Sequence, residues 1–208
     1  FFVNEGMLAK IWSRRWALPK FEGFDEEIDW PSGLSFNARH FDRTFLTGLS
    51  KEDWISITSD LKKDLTDEII ETSIRQWPEE IFSLNGPKII QALKVRRDNI
   101  VTDAISHYEF LAREVEVTGS DKMEAFEVGR LPNGDVHVVV QKISKKGERE
   151  KTLYDRVFHK RETREIRLYG LGGEDVFEIS GESNNSIRVR VIGGDGKDLL
   201  KDDSSVRG

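Results

Sequence analysis

The chain contains one internal repeat: IRLYGLGG at residues 166–173 aligns with IRVRVIGG at residues 187–194, so that Ile166 matches Ile187 and Gly173 matches Gly194. In both copies, apolar residues alternate with other side chains before the glycines, which is the period-two pattern of a half-buried strand. Two copies are one fewer than the three that an independent repeat array needs. We therefore expect either a pair of similar strands or part of a longer array.

The residues before this repeat alternate in the same way, in shorter runs. Apolar side chains stand at every second position at Val115 and Val117, at Phe126 and Val128, and at Val136, Val138 and Val140. Between the last two runs, PNGD at residues 132–135 places Asn-Gly at the centre of a turn, where these residues adopt the left-handed conformation at least cost. This spacing predicts a meander of antiparallel strands.

The N-terminal half has a different composition. All five Trp precede residue 114, whereas twelve of the seventeen Gly follow it. Apolar residues in this half recur at three- and four-residue spacing, as in amphipathic helices. We therefore predict an α+β protein, with an N-terminal Trp-rich helical region at residues 1–113. An antiparallel β region with the Gly-rich two-copy strand repeat should follow at residues 114–208.

Four helices are expected in the helical region. SKED at residues 50–53 has the spacing of a capping box, which places the start of a helix at residues 51–65. A second helix should begin after Thr66, a short third at residues 78–86 and a long fourth at residues 87–113, because Asn-Gly and then Pro favour a break. The first of these helices is predicted to bury a stripe formed by Trp54, Ile57, Leu61 and Leu65.

Composition excludes several classes of function. With 32 basic and 38 acidic residues, the 208-residue chain has a formal net charge of −6, which disfavours a nucleic-acid binder. The absence of Cys excludes disulfides, Cys-ligated zinc and Fe–S clusters. No apolar run approaches the roughly 18 residues of a transmembrane helix, so none is predicted. The chain begins with Phe1 rather than Met, and we expect it to be part of a longer polypeptide.

Two arginine motifs are candidates for phosphate binding. Arg39 and Arg43 are four residues apart and would share one helix face, which suits bidentate binding of an oxyanion, and His40 beside them could act as an acid or base. Arg14 and Arg15 are flanked by Trp residues and could stack and pair in the same site. The structural alternative is that these arginines pair with local carboxylates and carbonyl groups.

The Gly-rich repeat also suggests calcium as a cofactor. GGDGKDLL at residues 193–200 fits the calcium-binding nonapeptide, and GLGGEDVF at residues 170–177 fits it with one substitution. Asp175, Asp195 and Asp198 would supply the hard oxygen ligands that calcium prefers. However, Asp175 and Asp198 are 23 residues apart, whereas stacked calcium-binding turns recur at about nine or eighteen residues. The alternative is a Gly-rich turn with exposed acids.

No other motif identifies a catalytic residue. The sequence has no Gly-x-Ser-x-Gly elbow, no Walker loop and no His-Glu-x-x-His zinc motif. His107, His137 and His159 lack the spacing of metal ligands. Catalytic residues therefore stay unassigned.

Three motifs resemble a family of large bacterial cell-envelope proteins: residues 12–21 (WSRRWALPKF), 37–46 (NARHFDRTFL) and 164–173 (REIRLYGLGG). Members of that family resemble calcineurin-like metallophosphoesterases at one end and outer-membrane surface-antigen β-barrels at the other. The resemblance implies a periplasmic or outer-membrane-associated location and, as partners, the other domains of the parent chain. The metal-binding motifs of a metallophosphoesterase are absent from this sequence, so the resemblance assigns no catalytic residue.

The expected function is a non-catalytic connecting and interaction module of a cell-envelope protein, whose parent is a phosphoesterase-type hydrolase. The alternative is part of a phosphate-handling enzyme domain, kinase-like or phosphatase, in which upstream residues complete a site at Arg14, Arg15, Arg39, His40 and Arg43. A third hypothesis, a carbohydrate-binding face, requires Trp12, Trp16 or Trp30 to be solvent-exposed.

Overall fold

A computed structural model describes residues 7–12, 24, 26–28 and 30–207. The chain divides into two compact units. The helical unit comprises Phe1–Arg39 and Leu49–Phe110, and the β unit comprises His40–Gly48 and Leu111–Gly208. Helices precede a region built mostly of strands, so the α+β prediction is confirmed. A short segment from the N-terminal part, 40–48, belongs to the β unit rather than to the helical one.

Six α-helices form in the described residues: α1 Met7–Trp12, α2 Pro31–Leu34, α3 Arg39–Phe45, α4 Lys51–Asp64, α5 Asp67–Arg75 and α6 Glu79–Ala112, with a 3₁₀ turn at Phe36–Ala38. The capping box that begins α4 is confirmed. The Ser50 hydroxyl accepts a hydrogen bond from the backbone N–H of Asp53 (3.1 Å), and the Asp53 carboxylate accepts one from the N–H of Ser50 (2.8 Å). Thr66 caps α5 in the same manner, through the N–H of Ile69 (3.2 Å).

The predicted break at residues 85–87 is wrong, because α6 continues through Pro87 as one helix of 34 residues. A proline inside a helix removes one backbone hydrogen bond, and its ring clashes with the Cβ of the preceding residue. Here the preceding residue is Gly86, which has no Cβ. A Cβ at that position would also lie 2.5 Å from Cδ2 of Phe82. The Gly-Pro pair that suggested a break therefore fits inside the helix.

The predicted buried stripe of α4 is wrong for Ile57 and Leu61, which are 56% and 43% exposed. Lysines contribute to the half-buried face of α4 instead. The Lys62 ammonium donates to the carbonyl of Asp98 in α6 (2.7 Å), and Lys51 pairs with Glu109 of the same helix (2.7 Å). A lysine can cover apolar surface with its aliphatic stem while its ammonium group reaches a polar partner, so helical periodicity alone misassigned this face.

The described residues form ten strands: β1 Glu114–Thr118, β2 Glu124–Arg130, β3 Val136–Ile143, β4 Arg149–Phe158, β5 Glu165–Gly172, β6 Val176–Ser180, β7 Glu182–Asn184, β8 Arg188–Asp195, β9 Leu199–Asp202 and β10 Ser205–Arg207. They build three sheets, in the orders β1-β5-β8, β4-β3-β2-β6-β9 and β7-β10. The strands β2, β3 and β4 form the predicted antiparallel meander. All other pairs are parallel, which the sequence analysis did not anticipate.

The parallel pairs show that the chain winds into stacked coils. The strands β5, β6 and β7 form one coil and β8, β9 and β10 form the next, each with one strand in each sheet. Glu165 pairs with Arg188, Val176 with Leu199 and Glu182 with Ser205, so equivalent positions differ by 23, the separation of Asp175 from Asp198. The strands β1 and β2 stack on β5 and β6 as a partial first coil. The architecture is a short parallel β-solenoid.

The pairing register differs from the alignment seen in the sequence. That alignment superimposes the double glycines at residues 172–173 and 193–194. In the structure Ile166 pairs with Val189, which brings Gly170 beside Gly193. Leu171 and Gly194 pair and share a left-handed backbone, with φ of 74° and 102°. A leucine thus occupies a conformation that favours glycine. The two nonapeptide matches at residues 170–177 and 193–200 have this register, whereas the alignment of the double glycines does not.

The core of the β unit is formed by the coils together with the β3–β4 hairpin. Its buried members are Val115, Val117, Phe126, Val128, Val136, Val138, Val140, Phe158, Ile166, Leu168, Phe177, Ile179 and Ile187. The rings of Phe126 and Phe177 stack between neighbouring coils with centroids 4.6 Å apart. Because inward positions alternate with outward ones along each strand, the same pattern that buries these residues turns charged side chains to the surface.

In each coil, one of the inward-facing residues is a glycine. Gly119, Gly170 and Gly193 each face the acidic side chain of their own coil. A Cβ on Gly119 would lie 2.9 Å from a carboxylate oxygen of Glu124, and a Cβ on Gly170 would lie closer still to Asp175. These glycines therefore leave the space that the acids occupy.

Replacing Gly170 with Ala should lower the free energy of unfolding by about 1–3 kcal/mol, the usual cost of overpacking a core. Gly129→Ala is the matched control, because a Cβ there meets only His137 at an ordinary 3.9 Å. Urea denaturation of both variants measures the difference. Equal stabilities would contradict the tight inward packing at Gly170.

Candidate functional site

A network of charged side chains covers the outward face of the three-stranded sheet. We call it the charge network: Glu114, Glu116, Glu165, Arg167, Arg188 and Arg190. Arg167 lies at its centre, with guanidinium nitrogens 2.7 Å from Glu165, 3.1 Å from Glu114 and 3.6 Å from Glu116. The hydrogen bond from Arg167 lowers the pKa of Glu165 despite some burial, and the charge of Arg190 acts in the same direction.

Two of the predicted phosphate-binding residues contact this network. Arg43 in α3 is buried, and its Nη1 lies 3.5 Å from the carboxylate of Glu114. The imidazole of His40 is largely exposed, with Nδ1 3.7 Å from Glu116. Both candidates therefore face acidic side chains, which repel a phosphate group.

The other arginine candidates are placed differently. Arg39 belongs to the helical unit, where its Nη1 donates to the carbonyl of Phe36 (2.7 Å) and its guanidinium lies 4.1 Å from the centre of the Phe36 ring. Arg14 and Arg15 lie outside the described residues. The contacts of Arg39 and Arg43 are those that the structural alternative predicted, with a carbonyl and a carboxylate.

The tryptophans bear on the carbohydrate-binding hypothesis. Trp12 is 60% exposed, and Trp30 is half-buried with its ring 6.0 Å from that of Phe36. Trp16 lies outside the described residues. Of the two candidate tryptophans that the structure describes, Trp12 alone is exposed, and a single indole does not make a stacking surface for a sugar, so the binding face stays a hypothesis.

Two histidines of the β unit pair with carboxylates. His137 Nε2 lies 2.7 Å from Asp155, and His159 Nδ1 lies 2.8 Å from Asp135. Asp135 sits in the Asn-Gly turn, where burial acts to raise its pKa. Hydrogen bonds from His159 and from the backbone N–H of Lys160 outweigh that effect, so the pKa of Asp135 is lowered. The contacts of Asp135 with His159 and Lys160 anchor the turn to the end of β4, whereas the contact of His137 with Asp155 joins β3 to β4.

The acidic residues beside the inward glycines form a ladder from coil to coil. We call Glu124, Asp175 and Asp198 the acid ladder. Asp175 accepts a hydrogen bond from the backbone N–H of Glu124 (2.8 Å), and Asp198 accepts one from the N–H of Asp175 (3.1 Å). Glu124 itself accepts from the N–H and hydroxyl of Ser120 (3.0 and 2.6 Å). Each acid therefore joins its own coil to the preceding part of the chain.

Asp175 is the most deeply buried aspartate of the ladder, with 1% of its surface exposed. Burial raises its pKa from 3.8 to about 6, and the neighbouring carboxylates of Glu124 and Asp198 add to the rise. Its Oδ2 has no hydrogen-bond partner among the described residues and faces Gly170. A protonated carboxyl suits this position better than a charged one.

The ladder gives the predicted calcium ligands a different role. Asp175 and Asp198 bind backbone N–H groups, and Asp195 ends β8, where its carbonyl accepts from the N–H of Gly173 (3.0 Å). No group of three or more His, Asp or Glu side chains in the described part of the chain could hold a metal ion. The calcium prediction therefore gains no support from the geometry.

Sequence reasoning missed Glu124 and the meaning of the interval between Asp175 and Asp198. The interval of 23 residues is visible in the sequence, but without the strand pairing it does not show that the two aspartates occupy equivalent positions of neighbouring coils. The interval from Glu124 to Asp175 is much longer, because the β3–β4 hairpin lies between them and conceals the relation.

The last coil has an open edge. The strands β8, β9 and β10 each stand at the end of their sheet among the described residues. Leu200 is 56% exposed there, whereas the equivalent Phe177 of the preceding coil is fully buried. Val206 is exposed, and the equivalent Ser183 is buried. Unpaired strands next to exposed apolar side chains are a typical template for pairing with another strand, and this edge is the candidate functional site.

Comparison with known proteins gives no relative for this architecture. No protein-family model, no curated protein and no solved structure matches the chain significantly. Among the described helices, including the 34-residue α6, none has both the length and the apolar character needed to cross a membrane.

Replacing Arg167 with Met should lower the free energy of unfolding by about 2 kcal/mol, because three glutamates of the charge network would lose their shared partner and repel one another. Arg188→Met is the matched control. Its side chain is 72% exposed with one contact at 3.7 Å to Glu165, so its loss should cost less than about 0.5 kcal/mol. Urea denaturation should show that Arg167→Met has a lower free energy of unfolding than Arg188→Met, and this difference should become smaller as salt is added. Indistinguishable variants would refute the central role of Arg167.

Replacing Asp175 with Asn should flatten the pH dependence of stability. The folded-state pKa of about 6 lies above the ordinary 3.8, so the folded chain holds this proton more tightly than the unfolded chain. The stabilisation is complete below pH 3.8 and is lost as the pH rises through about 6, on the order of 2 kcal/mol. Melting temperatures from pH 4 to 7 should fall more in the native chain than in the variant. Asp198→Asn, at the exposed end of the ladder, is the control, and equal slopes in the native chain and Asp175→Asn would count against the assignment.

Proposed function

We propose that this chain is a non-catalytic connecting and interaction module. The observation that carries the proposal is the open edge, where three sheets end together in unpaired strands of a single coil. A solenoid transmits contacts along one axis, and each coil is stabilised by its neighbours. Such a structure suits the joining of one element to the next better than the enclosure of a substrate.

The contacts of the charged side chains support a non-catalytic role. Arg43 and Arg167 face glutamates, and Arg39 lies against a carbonyl and an aromatic ring. A phosphate-binding site needs guanidinium groups that converge on open space. The described arginine candidates instead hold α3 and the outward face of the three-stranded sheet in place.

We further propose that the parent is a cell-envelope protein with a phosphoesterase-type domain and that the module lies in the periplasm or at the outer membrane. This part of the proposal is supported by the resemblance of residues 12–21, 37–46 and 164–173 to that family. The partners would then be the other domains of the parent chain. The mixed signs of the charge network fit a protein partner better than a nucleic acid.

A phosphate titration tests this function against the phosphate-handling alternative. Calorimetry with inorganic phosphate should show no saturable binding, and the chain should not hydrolyse p-nitrophenyl phosphate. Arg39→Ala and Arg43→Met should lower the melting temperature without changing either result. The surface control Arg188→Met should leave the melting temperature and both results nearly unchanged. Saturable binding that both candidate variants abolish and the control retains would overturn the non-catalytic assignment.

A further inference from the structure

The side chains along the open edge favour one kind of binding partner. We propose that β8, β9 and β10 bind a further parallel β coil with a glycine opposite Gly193, an acidic residue opposite Asp198 and carboxylates opposite Arg188 and Arg190. This inference rests on the proposed connecting function and specifies the chemistry of the partner.

The inward side chains define the apolar part of the occupant. Ile166 and Leu168 are fully buried where the next coil covers them, whereas their equivalents Val189 and Val191 are only partly buried. Leu200 is exposed at the position where Phe177 is fully buried. An added coil with apolar residues at these positions would bury the same stripe in the same register.

The acid ladder defines the polar part. The N–H groups of Glu124 and Asp175 each donate to the acid of the following coil. Asp198 is the next member, so its N–H is the donor for the equivalent acid of an added coil. That acid needs a glycine beside it, because a Cβ on Gly170 or Gly193 would collide with the acid of its own coil. Glycine and acid are therefore required as a pair.

The outward charges define the third requirement. Arg188 and Arg190 have side chains that are 72% and 56% exposed, and both pair with the same carboxylate, that of Glu165 in the preceding coil. Two adjacent cations along the edge favour carboxylates on the strand that pairs with it. A second copy stacked through its β1 would also place carboxylates, Glu114 and Glu116, opposite these arginines. Its β3–β4 hairpin, however, already pairs with the edge of β2 that would have to meet β9, so a coil without this hairpin fits the whole edge better.

The experiment uses the full chain, extended by one serine and a copy of residues 164–186 in which the equivalent of Arg167 is Glu. The serine fills the position equivalent to Ser186, so that the copy stacks in the same register as the existing coils. Backbone amide exchange, followed by NMR, should slow roughly tenfold at Asp198 and along β8 and β9. The melting temperature should rise, because Leu200 becomes buried.

Two control extensions test the required pair separately. In one, the copied Asp175 is replaced by Ala, which should restore fast exchange at Asp198. In the other, the copied Gly170 is replaced by Val, which should prevent stacking and abolish the protection of the whole edge. Unchanged exchange with the intact copy would overturn the inference, and so would sedimentation showing that the unextended chain pairs with itself through this edge. If either of these two results is obtained and the chain still does not bind phosphate, the inference about the open edge is wrong. The proposed non-catalytic function would not be affected.

Discussion

The β unit depends on a hydrogen bond between a buried acid and the backbone of the preceding coil. In a parallel stack, neighbouring coils are joined by backbone bonds that carry no information about register. The bonds from Glu124 N–H to Asp175 and from Asp175 N–H to Asp198 fix that register, because only one alignment places an acid beside each N–H group. The inward glycines, the stacked phenylalanines and the alternating surface charges all follow from this alignment.

The structural features that the sequence predicted depend on interactions between residues close together in the chain. The capping box at Ser50, the strand alternation from Val136 to Val140 and the Asn-Gly turn before β3 all rest on interactions within a few residues. The α+β class followed from the same local signals. These signals do not say whether strands pair parallel or antiparallel, since alternation is the same in both.

The features that the sequence did not predict depend on distant residues. Gly86 and Pro87 continue α6 because the pair fits against Phe82. Lys62 turns inward because the carbonyl of Asp98 lies within its reach. The arginines of the NARHFDR motif have the chemistry that phosphate binding requires. Whether a guanidinium binds a ligand or a glutamate, however, depends on which strand lies opposite it in the fold. The alignment of the double glycines gave an offset of 21, whereas strand pairing follows the offset of 23 that places Leu171 beside Gly194.

The β3–β4 hairpin limits where coils can be added to this solenoid. Glu114 of β1 pairs with Glu165 of β5, and Glu165 pairs with Arg188 of β8, so the first coil is longer than the second by the hairpin and its loops. The inserted β3 pairs with β2, and β4 forms the edge of the five-stranded sheet on that side. In the described part of the chain, the edge of β8, β9 and β10 is therefore the one at which a further coil could extend all three sheets. Duplication or deletion of whole coils would change the reach of the module while the buried first coil and its attachment to the 40–48 segment stay the same.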